Sequence, residues 1–393
     1  MGVIMDRNYI NLFFLVFIAP IGAMDKSIVR FTTNFKDNYP YLVNETLNNE
    51  KLNNFAMEQF VFNQQGSIES MNNATKRGAA VHLTVGSHSH NNMSQYEATD
   101  IKKDSTIHGK VTVGLDQSPS KGKPKKGILL LGSANITNSV WQHKPGKPGT
   151  QFNFESGIQI TDNMDIIGQA YTMVKNQSPL KPLQEKNIIK TTPTKISLFG
   201  SKDTNLNESL ALRFKNAVEK ENVKTIVRSM TFNDSEVADQ LCHLGKKAEV
   251  IVDESALTKN GTPLLQKMHK AGVSVNVFCP QDGSHVKQHA KDIIIESKNQ
   301  QLYINSTANI TTEGDKQRNY QLYIPNNKAI VMAAKKDMKK VKKECISLPK
   351  ALQLKEEKNK KKKEKVALKK IEAQKEKRKL EKVEAQPIKK QKY

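Results

Sequence analysis

IHGKVTVGLD at residues 107–116 and QHAKDIIIE at residues 288–296 each place a histidine and a lysine two positions apart, at the start of an apolar stretch. Each is followed by a similar second stretch, LLLGSANIT at 129–137 and INSTANIT at 304–311. When the copies are aligned on ANIT, Ser133 matches Thr307 and Asn135 matches Asn309. The repeat predicts two copies of one structural unit that share a single site.

Helices and strands are predicted to alternate around both motifs. In the first half, for example, a helix over 67–76 precedes a strand over 80–85. Alternation of this kind is typical of α/β domains, in which helices cover the faces of a mixed or largely parallel sheet. We therefore expect two tandem α/β domains, over 25–175 and 195–334. The segment 176–194, which lacks clear periodicity, is predicted to be the linker between them.

The positive charge of the chain is concentrated at its carboxyl end. Of the formal net charge of +23, residues 335–393 hold +15, from 24 Lys or Arg and 9 Asp or Glu. This segment has too few apolar residues to build a core of its own. We expect it to be a disordered or helical tail that attracts nucleic acid or an anionic membrane; a merely solubilising extension is the alternative.

An apolar run, LFFLVFIAPIGA at residues 12–23, lies near the amino terminus. It is shorter than the roughly 20 residues that span a bilayer, and it ends in small residues that fit a cleavage site. Residues 1–23 are therefore predicted to be a secretory signal peptide, and the protein is predicted to be exported. A buried helix or an uncleaved membrane anchor is the alternative.

Other candidate metal ligands form weaker patterns. His82, His88 and His90 are close in sequence, but no cysteine or second spaced pair accompanies them, so a solvated loop is the better interpretation. Three cysteines are too few for a disulfide framework and too dispersed for a zinc site. We expect free thiols, with a Cys242–Cys279 bridge as the alternative in an oxidising compartment. The third is Cys345.

The duplicated residues fit the chemistry of a phosphodiester. Side chains alternate along a strand, so His108 and Lys110 share one face, and so do His289 and Lys291. If the two faces meet, lysines, hydroxyls and amides can bind the phosphate oxygens. One imidazole can attack phosphorus while the other protonates the leaving oxygen. This chemistry requires no metal and no cofactor.

The same residues resemble the signature of the phospholipase D superfamily: His, any residue, Lys, four residues and Asp, followed by a Gly-Ser-x-Asn turn. The resemblance covers roughly residues 28–325 and implies two phospholipase D-like α/β/α sandwich domains related by a pseudo-two-fold axis. It implies a phosphohistidine intermediate, with His108 as nucleophile and His289 as acid. It also implies phosphate binding by a set of matched residues: Lys110, Lys291, Ser133, Asn135, Thr307 and Asn309.

Further positions are implied by the resemblance, with departures. Glu155 matches the carboxylate that orients a catalytic histidine, and Gln321 takes the equivalent place in the second copy. Asp116 and Glu296 take the place of the structural motif acid. However, Asp116 follows Lys110 by six residues rather than five. Either a bulge at Gly114 realigns Asp116, or Asp116 is not the motif acid.

The substrate remains open at the level of sequence, because one fold hosts many functions. The first hypothesis is a phospholipase D-type hydrolase that releases the headgroup of a glycerophospholipid and gives phosphatidic acid. The second is an endonuclease that works without metal. The third is a non-catalytic protein that binds anionic surfaces. Since both motifs lie in one chain, a monomer is expected to complete the site.

Overall fold

The computed structural model describes residues 28–33, 39–86, 93–136, 153–176, 195–201, 205–220, 222–280, 286–314 and 316–384. The predicted signal segment and almost all of the predicted linker lie outside these residues, as do His88 and His90. By its internal contacts the chain divides into two compact units, residues 1–345 and residues 346–393. Both copies of the repeat lie in the first unit.

The first copy builds a seven-stranded sheet in the order β1-β7-β6-β5-β2-β3-β4. Its strands are β1 (Ile28–Thr33), β2 (Asn54–Gln59), β3 (Ala80–Val85), β4 (Asp100–Lys103), β5 (Lys110–Leu115), β6 (Gly127–Gly132) and β7 (Ser156–Thr161). Its helices are α1 (Tyr39–Asn48), α2 (Gln65–Lys76) and α3 (Met164–Asn176).

The second copy builds an eight-stranded sheet in the order β15-β11-β10-β9-β12-β13-β14-β8. Its strands are β8 (Ser197–Gly200), β9 (Lys224–Ser229), β10 (Ala248–Asp253), β11 (Ser274–Phe278), β12 (Asp292–Glu296), β13 (Gln301–Ser306), β14 (Tyr320–Pro325) and β15 (Cys345–Ser347). Its helices are α4 (Leu206–Val218), α5 (Ser235–Leu244), α6 (Gly261–Lys270) and α7 (Lys328–Lys342).

The two sheets have the same topology. Apart from β15, the order β4-β3-β2-β5-β6-β7-β1 corresponds strand by strand to β11-β10-β9-β12-β13-β14-β8. The directions also agree, because β2–β3 and β9–β10 are parallel, whereas β5–β6 and β12–β13 are antiparallel. The prediction of two tandem α/β domains is therefore confirmed.

Local sequence signals set the ends of the covering helices. The side chain of Asp234 accepts a hydrogen bond from the Val237 amide at 2.9 Å and caps α5. After α2 the chain turns at Gly78, whose φ of +90° lies in the left-handed region that favours glycine. The strand that the sequence predicts over 80–85, after Gly78, lies at the predicted position.

One hydrophobic core joins the two sheets. A single cluster of buried side chains includes Val111 and Ile158 from the first sheet and Tyr303 and Leu322 from the second. The ring of Phe31 packs edge-on against that of Tyr303, with centroids 5.9 Å apart. Apolar burial of this kind stabilises by about 25 cal/mol per Å². The two halves of the first unit therefore hold each other in a fixed arrangement, which the site between them requires.

The register of β5 decides the role of Asp116. From Lys110 to Leu115 the strand pairs residue for residue with β2, and Gly114 lies opposite Phe55 without a bulge. Leu115 therefore occupies the place that Glu296 occupies in β12, and Asp116 is not the motif acid. Its carboxylate instead accepts the Lys125 amide hydrogen bond at 3.0 Å and closes the β5–β6 hairpin.

The boundary of the basic tail lies further along the chain than the sequence predicts. Residues 335–342 belong to α7, which buries Ala334, Met338 and Val341 in the shared core. The second unit begins at residue 346 and contains α8 (Leu348–Glu384), a helix of 37 residues. The tail is thus helical over most of its length.

Among the residues that the structure describes, no helix is both long enough and apolar enough to cross a membrane. Cys242, Cys279 and Cys345 are all free thiols, so the alternative of a Cys242–Cys279 bridge is not realised.

Candidate active site

Each histidine segment pairs with the other half of the first unit. The His108 amide donates to the Arg318 carbonyl oxygen at 3.0 Å, just before β14. In the same way the His289 amide donates to the Phe154 carbonyl oxygen at 2.8 Å, just before β7. These reciprocal backbone bonds place both histidines at one boundary between the halves, as the repeat predicts.

The side chains that orient the imidazoles also cross this boundary. Glu155, which directly precedes β7, accepts a hydrogen bond from His289 Nδ1 at 2.8 Å. Asn319, which directly precedes β14, binds His108 Nδ1 through its Oδ1 at 3.0 Å. Each half therefore supplies the group that positions the histidine of the other half.

Asn319 replaces Gln321 as the equivalent of Glu155. Gln321 lies two residues further along, within β14, and its side chain accepts a hydrogen bond from the Tyr323 hydroxyl at 2.8 Å. The expectation for Gln321 is therefore wrong, because the orienting residue stands just before its strand and not inside it.

The hydroxyls of the two turns support these orienting residues. Ser133 donates to Glu155 Oε2, and Thr307 donates to Asn319 Oδ1 at 2.9 Å. Each hydroxyl also accepts a backbone amide, from Ser156 at 3.0 Å and from Tyr320 at 2.9 Å. Both side chains are completely buried. The expectation that they bind substrate is therefore replaced by a positioning role.

The tautomer of both histidines follows from these bonds. A carboxylate accepts only, so His289 Nδ1 bears the hydrogen. The Asn319 amide nitrogen donates to the Gly314 carbonyl at 2.8 Å, which turns Oδ1 toward His108. His108 Nδ1 therefore bears the hydrogen as well, and Nε2 of each ring is free to react.

The two lysines are buried beside the histidines. Lys110 Nζ donates to the His108 carbonyl and Lys291 Nζ to the His289 carbonyl, each at 2.6 Å. Burial lowers the pKa of Lys291 to about 8, although Glu155 and Asp253 act to raise it. Burial and the charge of Lys291 lower the pKa of Lys110 well below its usual range. Two buried ammonium groups side by side can bind an anion.

The two histidines differ in basicity. Burial, followed by the charges of Lys110 and Lys291, holds the pKa of His108 well below 6.5. Burial also lowers the pKa of His289, but the negative charge of Glu155 opposes it. Burial acts to raise the pKa of Glu155, yet His289 and Lys291 outweigh this and lower it overall. The site therefore contains a neutral His108 and a His289 whose protonated form is stabilised by the negative charge of Glu155.

The turn asparagines remain available for a ligand. Asn309 Oδ1 accepts the Thr231 amide at 3.4 Å, and Asn135 Oδ1 is buried without a hydrogen-bond partner. Both side chains are partly exposed. Amide nitrogens at these positions are donors that phosphate oxygens can accept.

Phe60 and Glu58 also contact the site, and sequence reasoning did not identify them. The ring centroid of Phe60 lies 4.9 Å from that of His108 and 5.1 Å from Lys110 Nζ. Glu58 packs against Gly109, between His108 and Lys110. Glu58 lies at the end of β2 and Phe60 directly follows that strand, next to the first motif strand, and only the strand order reveals their proximity.

The remaining residues that the sequence analysis considered lie outside this site. Glu296 is paired with Lys335 of α7 and also accepts from Gln301 at 2.7 Å. His82 lies 3.8 Å from Asp100 at the edge of the first sheet. Among the residues described here, no cluster of three or more His, Cys, Asp or Glu side chains could hold a metal ion.

Comparison with known proteins identifies the fold. No protein-family model and no curated protein matches the sequence. The structure of phosphatidylserine synthase from Haemophilus influenzae Rd KW20 matches with a TM-score of 0.56 and 10% identity, over 86% of this chain and 94% of that chain.

Polyphosphate kinase from Porphyromonas gingivalis matches with a TM-score of 0.55 and 15% identity. The match covers 78% of this chain but only 45% of the kinase, so this chain spans less than half of that protein. Nuc from Salmonella typhimurium, named as a phospholipase D family member, matches 39% of this chain with a TM-score of 0.32 and 11% identity. At these identities the likeness concerns the fold alone: the first unit of the chain has a phospholipase D-like fold, built twice.

Proposed function

We propose that the protein is a phosphodiesterase that works through a phosphohistidine intermediate on His108. The observation that supports this most directly is the reciprocal arrangement of the histidines. Each keeps Nδ1 bonded to a residue of the opposite half, Asn319 or Glu155, and each has a reactive Nε2. Packing alone does not require two partly buried imidazoles and two buried lysines at equivalent positions.

The reaction has two steps. In the first, the lone pair of His108 Nε2 forms a bond to phosphorus while the bond to the leaving oxygen breaks. His289 Nε2 gives its proton to that oxygen, so the alcohol leaves neutral. In the second, a water oxygen attacks phosphorus, a proton of the water passes to His289, and the bond from phosphorus to His108 breaks. One water is consumed, and both imidazoles return to their initial state.

The charges around the rings favour this division of roles. A nucleophile must be neutral, and burial together with the nearby lysines favours that form of His108 by lowering its pKa. An acid must carry a proton, and Glu155 stabilises the protonated His289. A bound phosphodiester anion adds negative charge and favours protonation of His289 further. Lys110 and Lys291 neutralise the non-bridging oxygens, and the amides of the turn asparagines donate hydrogen bonds to them.

A glycerophospholipid is the first substrate class that we would test, with release of the headgroup alcohol and formation of phosphatidic acid. The predicted export signal and the single site within one chain support this choice. The fold itself does not select a substrate, since a phosphatidylserine synthase and a polyphosphate kinase share it.

A nucleic acid is the second candidate substrate, and α8 favours it. This helix contains 15 Lys or Arg and 7 Asp or Glu. Every residue from 356 to 376 is exposed, and Val366 faces away from Leu368 and Ile371 on the helix surface. A helix that binds in a membrane surface needs one apolar face, which this segment lacks. A basic helix without an apolar face fits the negatively charged phosphodiester backbone of a nucleic acid.

A parallel assay separates these functions. The purified chain is incubated with phosphatidylcholine vesicles and with single-stranded DNA, in EDTA, beside a His289→Ala variant. Headgroup release that is lost in the variant supports the lipid hydrolase, and DNA cleavage that is lost in the variant supports the nuclease. If neither substrate is turned over although both are bound, the proposal fails in favour of a non-catalytic protein that binds anionic surfaces.

A further inference from the structure

Glu58 is a buried carboxylate that bridges the two halves. It lies in β2, and its Oε2 accepts hydrogen bonds from Arg318 Nη1 at 3.1 Å and from the Tyr320 hydroxyl at 2.9 Å. Its relative exposure is 0%, and its second oxygen, Oε1, is buried without a hydrogen-bond partner. A buried, half-satisfied carboxylate costs stability, so its presence indicates a role other than packing.

The unpartnered oxygen faces the first motif. Glu58 lies opposite Val111 and Gln59 opposite Lys110, so the carboxylate borders the segment that contains His108. A β-carbon at Gly109 would clash with Glu58 Oε1 and would lie 2.9 Å from the Tyr320 ring. The close approach explains why the first motif has glycine between its histidine and lysine, whereas the second has the buried Ala290.

The second half has no carboxylate at the equivalent position. By strand register, Arg228 of β9 is the equivalent of Glu58, since it lies opposite Asp292 as Glu58 lies opposite Val111. Arg228 is bonded to Asp292 and Asp337, each at 2.7 Å. The residues that orient the histidines also differ between the halves. His289 is bonded to the anionic Glu155, whereas His108 is bonded to the neutral amide of Asn319.

Glu58 therefore adds a second carboxylate to the surroundings of the first histidine–lysine pair, beside Glu155. Its negative charge acts on Lys110 in the direction opposite to burial and to the repulsion from Lys291. Its bonds to Arg318 and Tyr320 also fix both neighbours of Asn319, the residue that binds His108.

We propose that Glu58 is a positioning residue of the active site, which holds the Arg318–Tyr320 segment so that Asn319 faces His108 and adds to the negative charge that Glu155 provides for Lys110. The inference rests on the proposed function of the His108–Lys110 pair.

The charged groups around the two residues determine the pH response. Those that act on Glu58 include Arg318, Tyr320 and Asp104. Those that act on Lys110 are Lys291, Glu155 and Glu58. Glu58→Gln keeps the shape and one acceptor for the Tyr320 hydroxyl but removes the anion. Lys110 should then lose its proton at lower pH, because one of the two carboxylates that raise its pKa is removed while the repulsion from Lys291 stays.

The test compares Glu58→Gln with Asp337→Asn, which alters another buried ion-paired carboxylate, that of α7. Turnover of bis(4-nitrophenyl) phosphate is measured against pH in the full-length chain. In Glu58→Gln the alkaline limb should move down by about one pH unit, since a close opposite charge shifts a pKa by about 1–3 units. In Asp337→Asn the limb should stay in place even if the melting temperature falls. An unchanged limb in Glu58→Gln, or an equal shift in both variants, overturns the inference.

A second measurement does not depend on turnover. The Lys110 side chain is titrated by NMR through its Cε resonance in the wild type and in Glu58→Gln. A lower Lys110 pKa in the variant supports the inference even if the probe is not hydrolysed, in which case only the proposed reaction fails. An unchanged Lys110 pKa overturns the inference whatever the activity.

Discussion

Replacement of Glu58 by glutamine should make the free energy of unfolding less sensitive to a rise in pH. Burial raises the pKa of Glu58 to about 7 from its ordinary 4.5, against the opposing charge of Arg318 and the hydrogen bond from Tyr320. The folded state therefore retains a proton that the unfolded state loses between these two values. Stability from this group is complete below pH 4.5, falls as pH rises, and is lost above pH 7.

The size of the effect follows from the shift. One pKa unit corresponds to about 1.36 kcal/mol, so a shift of about 2.5 units, from 4.5 to about 7, corresponds to about 3 kcal/mol. Glutamine does not titrate. The free energy of unfolding of Glu58→Gln minus that of the wild type should therefore increase by about 3 kcal/mol between pH 4.5 and pH 8.

Urea denaturation at a series of pH values measures this difference, with Glu208→Gln at the exposed start of α4 as the control. The control difference should stay flat with pH. If the difference for Glu58→Gln is equally flat, or falls as pH rises, then Glu58 is not a buried acid that ionises at a cost, and the reasoning is refuted.

Three further predictions concern other parts of the chain. Asn319→Asp places a carboxylate against His108 and should raise the pKa of that imidazole by about 1–2 units, which NMR titration measures. Arg228→Met leaves two buried carboxylates without their cation and should cost about 3–5 kcal/mol in urea denaturation, and a loss under 1 kcal/mol would contradict the ion-pair description. Removal of residues 348–393 should reduce the salt dependence of DNA binding, read by fluorescence anisotropy, while hydrolysis of bis(4-nitrophenyl) phosphate is retained; an unchanged salt slope would exclude α8 as the binding element.

The duplicated motif was sufficient to predict the fold class. Polar residues at matched spacings, such as His108 and His289, indicated a repeat, and alternating apolar segments indicated one sheet in each copy. The two sheets have this topology because the strand sequences determine which residues can be buried. The prediction depended on local patterns, which sequence displays directly.

The partners of the histidines could not be predicted in the same way. Asn319 and Gln321 are two residues apart, around the start of β14. Only the register of β14 against the Thr307 turn shows which of the two faces His108. The contact of Glu58 with Arg318 spans 260 positions in sequence. Such pairs depend on how the two halves meet, which no local pattern encodes.

The tail boundary was misplaced for a compositional reason. The lysines that follow Ala334 dominate the composition of this segment, but Met338 and Val341 lie on the same helix face as Ala334, where they are buried. A basic segment can thus hold a narrow apolar stripe at a spacing of three to four residues. The stripe, rather than the lysine content, determines where the folded unit ends.

The covalent intermediate tests the central claim most directly. Wild type, His108→Gln and His289→Gln are mixed with bis(4-nitrophenyl) phosphate, quenched rapidly in base, digested, and mapped by mass spectrometry. We predict a phosphoryl adduct on the peptide that contains His108 in the wild type, more of it in His289→Gln because hydrolysis of the intermediate loses its base, and none in His108→Gln. An adduct on His289, or wild-type turnover with no adduct on either histidine, would contradict the proposed roles.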